Sequence, residues 1–244
     1  MESTNDFAKS INENDNVLIL TDHQISGKGR FSRIWESDKG RNLTFTIVKK
    51  FKLEPENNQL VNFFTAYFLL TGIKSFMLSH IKTDSYIQLG IKWPNDILLN
   101  SKKISGILIE HNLSKKTFII GIGVNVNQIK FNPEYSEKTS SLRNLLGERI
   151  NLNELLIEII LNYDKYIHLV TKENYDTLFN LWYNSNLLIG NEVIFSENDS
   201  PAIKAKFIDL QKDGSIKLQM DKTIKTYTSG DIRILSFTGD NYYI

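Results

Sequence analysis

The chain has no cysteine among its 244 residues. Disulfides, thiolate zinc sites and cysteine nucleophiles are therefore excluded. Histidine is scarce: His23, His80, His111 and His168 share no helical metal-ligand spacing. Neither sign of charge is in excess, since 29 basic and 28 acidic residues leave a net charge of +1. That balance lacks the basic footprint of a dedicated nucleic-acid binder. The opening MESTNDFAKS has no basic segment followed by an apolar core, so it does not read as a signal peptide. A membrane span needs roughly 20 mostly apolar residues. The most apolar region, 60–81, is interrupted by Asn62, Thr65, Thr71, Lys74 and Ser75. The expectation is a soluble, cytoplasmic protein.

What is present suffices for a sizeable core: 41% of residues are hydrophobic and 23% charged. The length suits one large domain with a small one attached. The sequence predicts a capped helix from Thr4 to about Asn14, a buried strand over 16–21, a basic loop over 23–33 and a strand over 42–49. A core helix is expected over 60–80. Strands follow at 86–93, 97–99, 106–110 and 117–126. Leu152, Leu155, Leu156, Ile159, Ile160, Tyr163, Ile167 and Val170 recur at helical spacing. Another helix is expected over 175–183. Beyond Gly190, short strands alternate with turn signals at Asp213-Gly214 and Ser229-Gly230, the pattern of a small β-barrel. The expected boundary lies near Leu187.

Three constellations carry chemistry. Gly27-Lys28-Gly29-Arg30, continuing through Arg33 to Trp35, packs cations and glycines into one loop. Glycine lets backbone approach a ligand, and arginine grips carboxylates or phosphates with a planar fork. The loop matches neither the GxxxxGK(S/T) nor the GxGxxG pattern, and a solvated basic surface loop is the competing reading. Second, Lys92-Trp93-Pro94-Asn95-Asp96 precedes Lys102-Lys103 and Gly106. Pro94 fixes the backbone, and a turn at Asn100-Ser101 would return Lys103 towards Asn95 and Asp96. Asp96 could orient a cation, bind magnesium that carries phosphates, or accept a proton from an amine. A plain hairpin with a packed tryptophan and surface lysines is the alternative. Third, Gly121 and Gly123 leave one strand face bare, with Asn125 and Asn127 following on that face. That face suits either a flat ligand or a close helix contact.

Together with Glu2-Ser3-Thr4-Asn5-Asp6 and Gln24, these motifs resemble biotin–protein ligase in order and spacing over nearly the whole chain. The resemblance implies an α+β fold: a mixed sheet with helices packed on one side, as in class II synthetases, plus a C-terminal SH3-like β-barrel. The implied domains are a catalytic domain, 1–186, and a barrel, 187–244. The implied reaction joins biotin to ATP as biotinyl-5′-AMP, releasing pyrophosphate. It then transfers biotin to a lysine of a biotin carboxyl carrier protein. Magnesium would accompany ATP. By the resemblance, Ser3, Thr4, Asn5 and Gln24 meet the biotin ureido ring, and Lys28, Gly29 and Arg30 close over biotin and phosphate. Arg33, Trp35, Asn95 and Asn125 meet the nucleotide. Lys103 touches the biotin carboxyl group and the α-phosphate, Gly106, Gly121 and Gly123 form the floor, and Asp96 guides or deprotonates the acceptor lysine. The catalytic set is Lys103, Arg30, Lys28 and Asp96, with no protein-held metal.

The chain departs from the family pattern at Lys28, where arginine is usual, and at Ser32, where glycine is usual. It also begins at the Ser-Thr-Asn motif, where relatives carry a preceding strand, so the expectation is either a start that lacks that sheet edge or the loss of a few residues. The resemblance is to the type without an N-terminal DNA-binding domain, so operator binding is not expected. Relatives can pair through sheet edges, so a homodimer or a monomer–dimer equilibrium is the expectation. A lipoate- or octanoate-type ligase and a biotin-binding regulatory module are the alternatives.

Overall fold

The structure, a computed structural model, describes residues 1–11, 16–80, 87–112, 117–134, 136–197 and 200–238. Its larger sheet contains β1 (Val17–Thr21), β2 (Leu43–Lys49), β3 (Leu89–Lys92), β4 (Asp96–Leu99), β5 (Lys102–Asn112) and β6 (Thr117–Val124). The strand order is β1-β2-β6-β5-β4-β3. Every ladder between these strands is antiparallel. Among the described residues, parallel pairing is confined to two isolated bridges, Ile91 with Asn186 and Lys103 with Thr139.

Alternation along the central strands gives the sheet two different faces. Phe45 and Ile47 of β2, with Ile120 and Ile122 of β6, join the main core. Val48 and Ile119, from the opposite face, join a small cluster with Ala8 of α1 (Thr4–Ser10). The longer helices, α2 (Gln59–His80), α4 (Leu152–Tyr166) and α5 (Tyr175–Asn184), share the main core face, as expected. The short α1 lies on the other face, so one sheet surface stays largely available for a site.

Helix α2 is long and apolar enough to cross a membrane, but it is mostly buried within the protein. Its apolar residues meet the sheet on one side and α4 and α5 on another. The Phe63 ring centre lies 4.5 Å from that of Trp182 of α5, the planes tilted by 31°, and Phe64 and Phe68 meet Tyr163 of α4. Gly72 permits the closest approach, since a Cβ there would lie 2.6 Å from Ile159 Cα. We predict that Gly72→Val forces α2 and α4 apart and costs about 1–3 kcal/mol of stability. Denaturant titration checks this, and an unchanged midpoint would contradict it.

Several elements differ from the sequence expectation. Strand β1 is an edge strand with only Ile19 buried, and Leu18 and Leu20 are exposed. Its apolar run reads as buried because composition does not reveal which strands lie at an edge. Helix α1 ends at Ser10, where Ile11 turns extended, and the expected continuation through 12–14 lies outside the described residues. The start of the strand expected at Tyr86 lies outside them too, and β3 begins at Leu89. Strand β5 begins four residues before Gly106 because the β4–β5 turn takes only Asn100 and Ser101. Both have positive φ, as a tight I′-type turn requires. Helix α3 (Leu142–Leu146) was not anticipated, although Ser141 caps its start and left-handed Gly147 ends it.

The C-terminal strands are β7 (Glu192–Glu197), β8 (Ile203–Leu210), β9 (Ile216–Met220), β10 (Thr223–Tyr227) and β11 (Ile232–Phe237). They form a separate antiparallel sheet, ordered β10-β9-β8-β7-β11. Its inner residues Phe195, Phe207 and Leu218 merge with the main core. Trp93 Nε1 donates to Gly214 O at 2.9 Å, and Tyr183 Oη donates to Asp209 Oδ1 at 3.0 Å. The first of these bonds fastens the β3–β4 turn to the C-terminal sheet.

Candidate functional site

The floor of the site is built from β5 and β6, where Gly106 pairs with Gly123. Neither glycine nor Gly121 presents a bare face. A Cβ on Gly121 would collide with the Asn5 carboxamide, and one on Gly123 with the Trp35 indole. A Cβ on Gly106 would lie 3.1 Å from both Lys103 Nζ and Trp35 Cζ3. Of the two readings left open for this face, the close contact is the one seen: Asn5 of α1 covers Gly121 and Trp35 of the basic loop covers Gly123. The glycines admit the side chains of α1 and of the basic loop close to the sheet, and ligand space lies beside and above those side chains.

At one end a network of neutral polar groups is fixed by α1. Ser3 caps the helix and accepts from Asp6 N. Gln24 Oε1 accepts from Thr4 N at 2.8 Å and lies 3.0 Å from Thr4 Oγ1. Thr46 Oγ1, buried on the site face of β2, lies within bonding reach of Thr4 Oγ1 and Asn5 Oδ1. Asn5 Nδ2 donates to Glu110 Oε2 at 2.9 Å. Thr46 and Glu110 are second-layer supports that the motif reading missed, and strand alternation alone would have placed Thr46 on this face.

The basic loop is closed by its own backbone. Trp35 N donates to Gly27 O and Gly29 N to Arg33 O, both at 2.8 Å. A Cβ on Gly27 would collide with Trp35 O, so glycine is required for this closure. Phe31, at φ 56°, carries Arg30 and Arg33 over its ring. Arg30 reaches back to Asn95 Oδ1 at 3.5 Å and donates to Ser229 O at 2.8 Å. Burial pulls the Arg30 guanidinium below its usual value, Asp96 opposes that shift, and Arg33 adds to it. Lys28 turns outward and pairs with Asp6 at 2.7 Å, which holds the Asp6 carboxyl group below the ordinary range. The side chain of Ser32 lies outside the described residues.

The β3–β4 turn and the start of β5 supply the remaining groups. Lys103 Nζ lies 2.7 Å from Asp96 Oδ1 and 5.6 Å from the Trp35 ring centre. The Lys103 backbone is held on both sides, by Lys138 O at 2.8 Å and Ser140 N at 3.0 Å. Asn95 is clamped to Ile107 by its backbone and its side chain. Asn125 Nδ2 donates to Ser140 O at 3.1 Å. Two buried polar atoms here, Trp35 Nε1 and Asn125 Oδ1, have no hydrogen-bond partner among the described residues. Buried polar groups are normally paired, so these two have bonding capacity left for a ligand.

Every candidate site residue named from the sequence lines one cavity of about 1060 Å³. That is slightly above the roughly 300–1,000 Å³ usual for small-molecule sites. The sequence reading did not place Lys92, Lys138, Ser229, Arg233 or Ile234 there, yet all five line the same cavity. Lys92 was visible within its motif. The C-terminal residues carry no signal of their own, because only the packing of the second sheet brings them to the first.

Residues 1–127 match the sequence model of the Biotin/lipoate A/B protein ligase family. Among curated relatives, the "Bifunctional ligase/repressor BirA" of Bacillus subtilis (strain 168) is 28% identical over 228 residues, covering 91% of this chain and 67% of that protein. "Biotin--protein ligase 2" of Arabidopsis thaliana is 26% identical over 203 residues, covering 80% of this chain and 58% of the relative. Among solved structures, "Biotin protein ligase from Aquifex aeolicus in complex with biotin and ATP" superposes with a TM-score of 0.77 at 24% identity, covering 96% of this chain and 95% of that one. That likeness establishes the shared fold. The family match spans more than half of the 244 residues, and the chain belongs to the biotin/lipoate A/B protein ligase family.

Proposed function

We propose that this chain is an ATP-dependent biotin–protein ligase that forms biotinyl-5′-AMP and passes biotin to a lysine of a biotin carboxyl carrier protein. The observation that carries the reading is the Lys103–Asp96 pair, 2.7 Å apart, in a cavity that also holds the neutral polar end and the basic loop. The names of the Bacillus and Arabidopsis relatives support it. A carboxylate is a poor acyl donor because its leaving group would be oxide. Adenylation supplies a good leaving group, and fixed cations offset the charge that builds at phosphorus.

In this reading Ser3, Thr4, Asn5 and Gln24 face the ureido ring, whose donors and acceptors need neutral partners. Lys103 bridges the biotin carboxyl group and the α-phosphate, with Arg30 beside it. Arg33, Trp35, Asn95 and Asn125 hold the nucleotide, and Gly106, Gly121 and Gly123 keep the floor low. Lys28 exchanges Asp6 for the ligand when the loop closes. Asp96 receives the ammonium of the acceptor lysine and takes its proton. Among the described residues no three histidine or carboxylate side chains cluster to hold a metal. Magnesium is proposed as a counter-ion carried in by the triphosphate. We further propose a catalytic domain over 1–186 and a barrel domain over 187–244, a cytoplasmic location, pairing of two chains through edge strand β1, and no DNA binding. Sedimentation at several concentrations and a low-salt gel shift test the last two.

ATP–pyrophosphate exchange measured with biotin and with lipoate tests the substrate. Exchange is expected with biotin alone, and exchange with lipoate alone would move the chain to the other branch of its family. Gly121→Val tests the floor. The added side chain displaces Asn5, and biotin affinity is expected to fall about 10–100-fold. Calorimetry reads this, and wild-type affinity would contradict the assigned pocket.

A further inference from the structure

Lys92 stands across the β3–β4 pair from Asp96, so the two side chains share one face of the sheet. Lys92 Nζ donates to Ile234 O of β11 at 3.0 Å. Burial pushes this ammonium down to about 8, Asp96 pulls it up, and Lys103, Lys138 and Arg233 push it further down. All four cations line the cavity. They come from β3, β5, the segment before α3, and β11, four pieces of chain far apart in sequence. Lys103 is paired with Asp96, while Lys92, Lys138 and Arg233 make no ion pair among the described residues. Folding has therefore gathered more positive charge at this end of the cavity than Asp96 offsets. Such an arrangement is stabilised by a polyanion.

We infer that Lys92, Lys138 and Arg233 form a seat for the pyrophosphate end of the nucleotide and hold that group as it leaves. The inference rests on the adenylation reading above. In that step a biotin carboxylate oxygen forms a bond to the α-phosphorus. The bond from the α-phosphorus to its bridging oxygen breaks, and the electron pair departs on pyrophosphate. Negative charge grows on that oxygen, where cations fixed in advance stabilise it without reorganising. Lysines provide compact charges, and the arginine fork can grip two phosphate oxygens. Transfer from a finished adenylate to a carrier lysine releases AMP and involves no pyrophosphate. The three cations thus serve the first half-reaction, whereas Lys103 and Asp96 stand at the reacting carboxyl–phosphate junction. The C-terminal sheet acquires a chemical part, because β11 supplies both Arg233 and the carbonyl that aims Lys92.

Lys92→Met keeps the apolar stem, and Arg233→Ala changes an exposed side chain that can be removed without opening the core. Each variant is assayed for adenylate formation from biotin and ATP, and for carrier labelling from chemically prepared biotinyl adenylate. Titration calorimetry with inorganic pyrophosphate reads the seat directly. Pyrophosphate affinity and adenylate formation are expected to fall about tenfold or more in each variant. That loss should exceed any loss in labelling from supplied adenylate by about tenfold. Wild-type pyrophosphate affinity in both variants, or equal losses in the two half-reactions, would overturn the inference. If the unmodified protein forms no adenylate, yet both variants weaken its pyrophosphate binding, the ligase reading fails and the seat stands.

Discussion

Replacing Lys103 by alanine is expected to lower adenylate formation by about 10²–10³-fold while the protein remains folded. The chain fixes this lysine from both sides, through the Lys138 carbonyl and the Ser140 amide, beside a two-residue turn that leaves little freedom. Its ammonium is held between Asp96 and the face of Trp35. A group so placed needs little reorganisation when charge develops on a phosphate, which is why its loss should fall on the rate. The side chain is partly exposed, so stability should change little, within about 0.5 kcal/mol of a neutral surface substitution. Pyrophosphate release and a thermal melt check the two halves of the claim. A variant that melts like the parent yet adenylates within tenfold of it would remove Lys103 from the chemistry.

Asp96→Asn should divide the two half-reactions the other way. The amide keeps the shape at the β3–β4 turn but can neither neutralise an incoming ammonium nor take its proton. Carrier labelling from supplied adenylate is expected to slow by about 10²–10⁴-fold, the usual scale for loss of a positioned general base. Adenylate formation should fall less, because the turn is also held by Trp93 on Gly214 and by Asn95 on Ile107. Single-turnover labelling with excess enzyme isolates the transfer step. Equal losses in both steps would mean that Asp96 acts only by anchoring Lys103.

The parts of the fold that sequence made legible are those governed by local rules. Alternation in 43–49 marked β2, whose phenylalanine and isoleucine face the core helix while its threonines face the site. The turn residues Asn100-Ser101 marked the reversal that brings Lys103 back to Asp96, and both have positive φ there. Long-range matters were less legible. Nothing in Val17–Thr21 says that β1 is an edge, because its apolar side chains look alike whether a neighbour covers them or not. The paired glycines left two readings open, because whether a ligand or a side chain fills a bare strand face depends on what α1 and the basic loop deliver. Arg233 and the Ile234 carbonyl reach the cavity only through the docking of a second sheet, which no motif records. Lys92 was legible as a letter in a motif and illegible as a partner of β11.

The most direct measurement is the intact mass of a biotin carboxyl carrier domain after incubation with this protein, biotin and Mg-ATP, with pyrophosphate followed in parallel. A gain of one biotin on one carrier lysine, accompanied by stoichiometric pyrophosphate, is the predicted result. An unmodified carrier with no pyrophosphate, from protein that nonetheless binds biotin, would contradict ligation and leave a biotin-binding module.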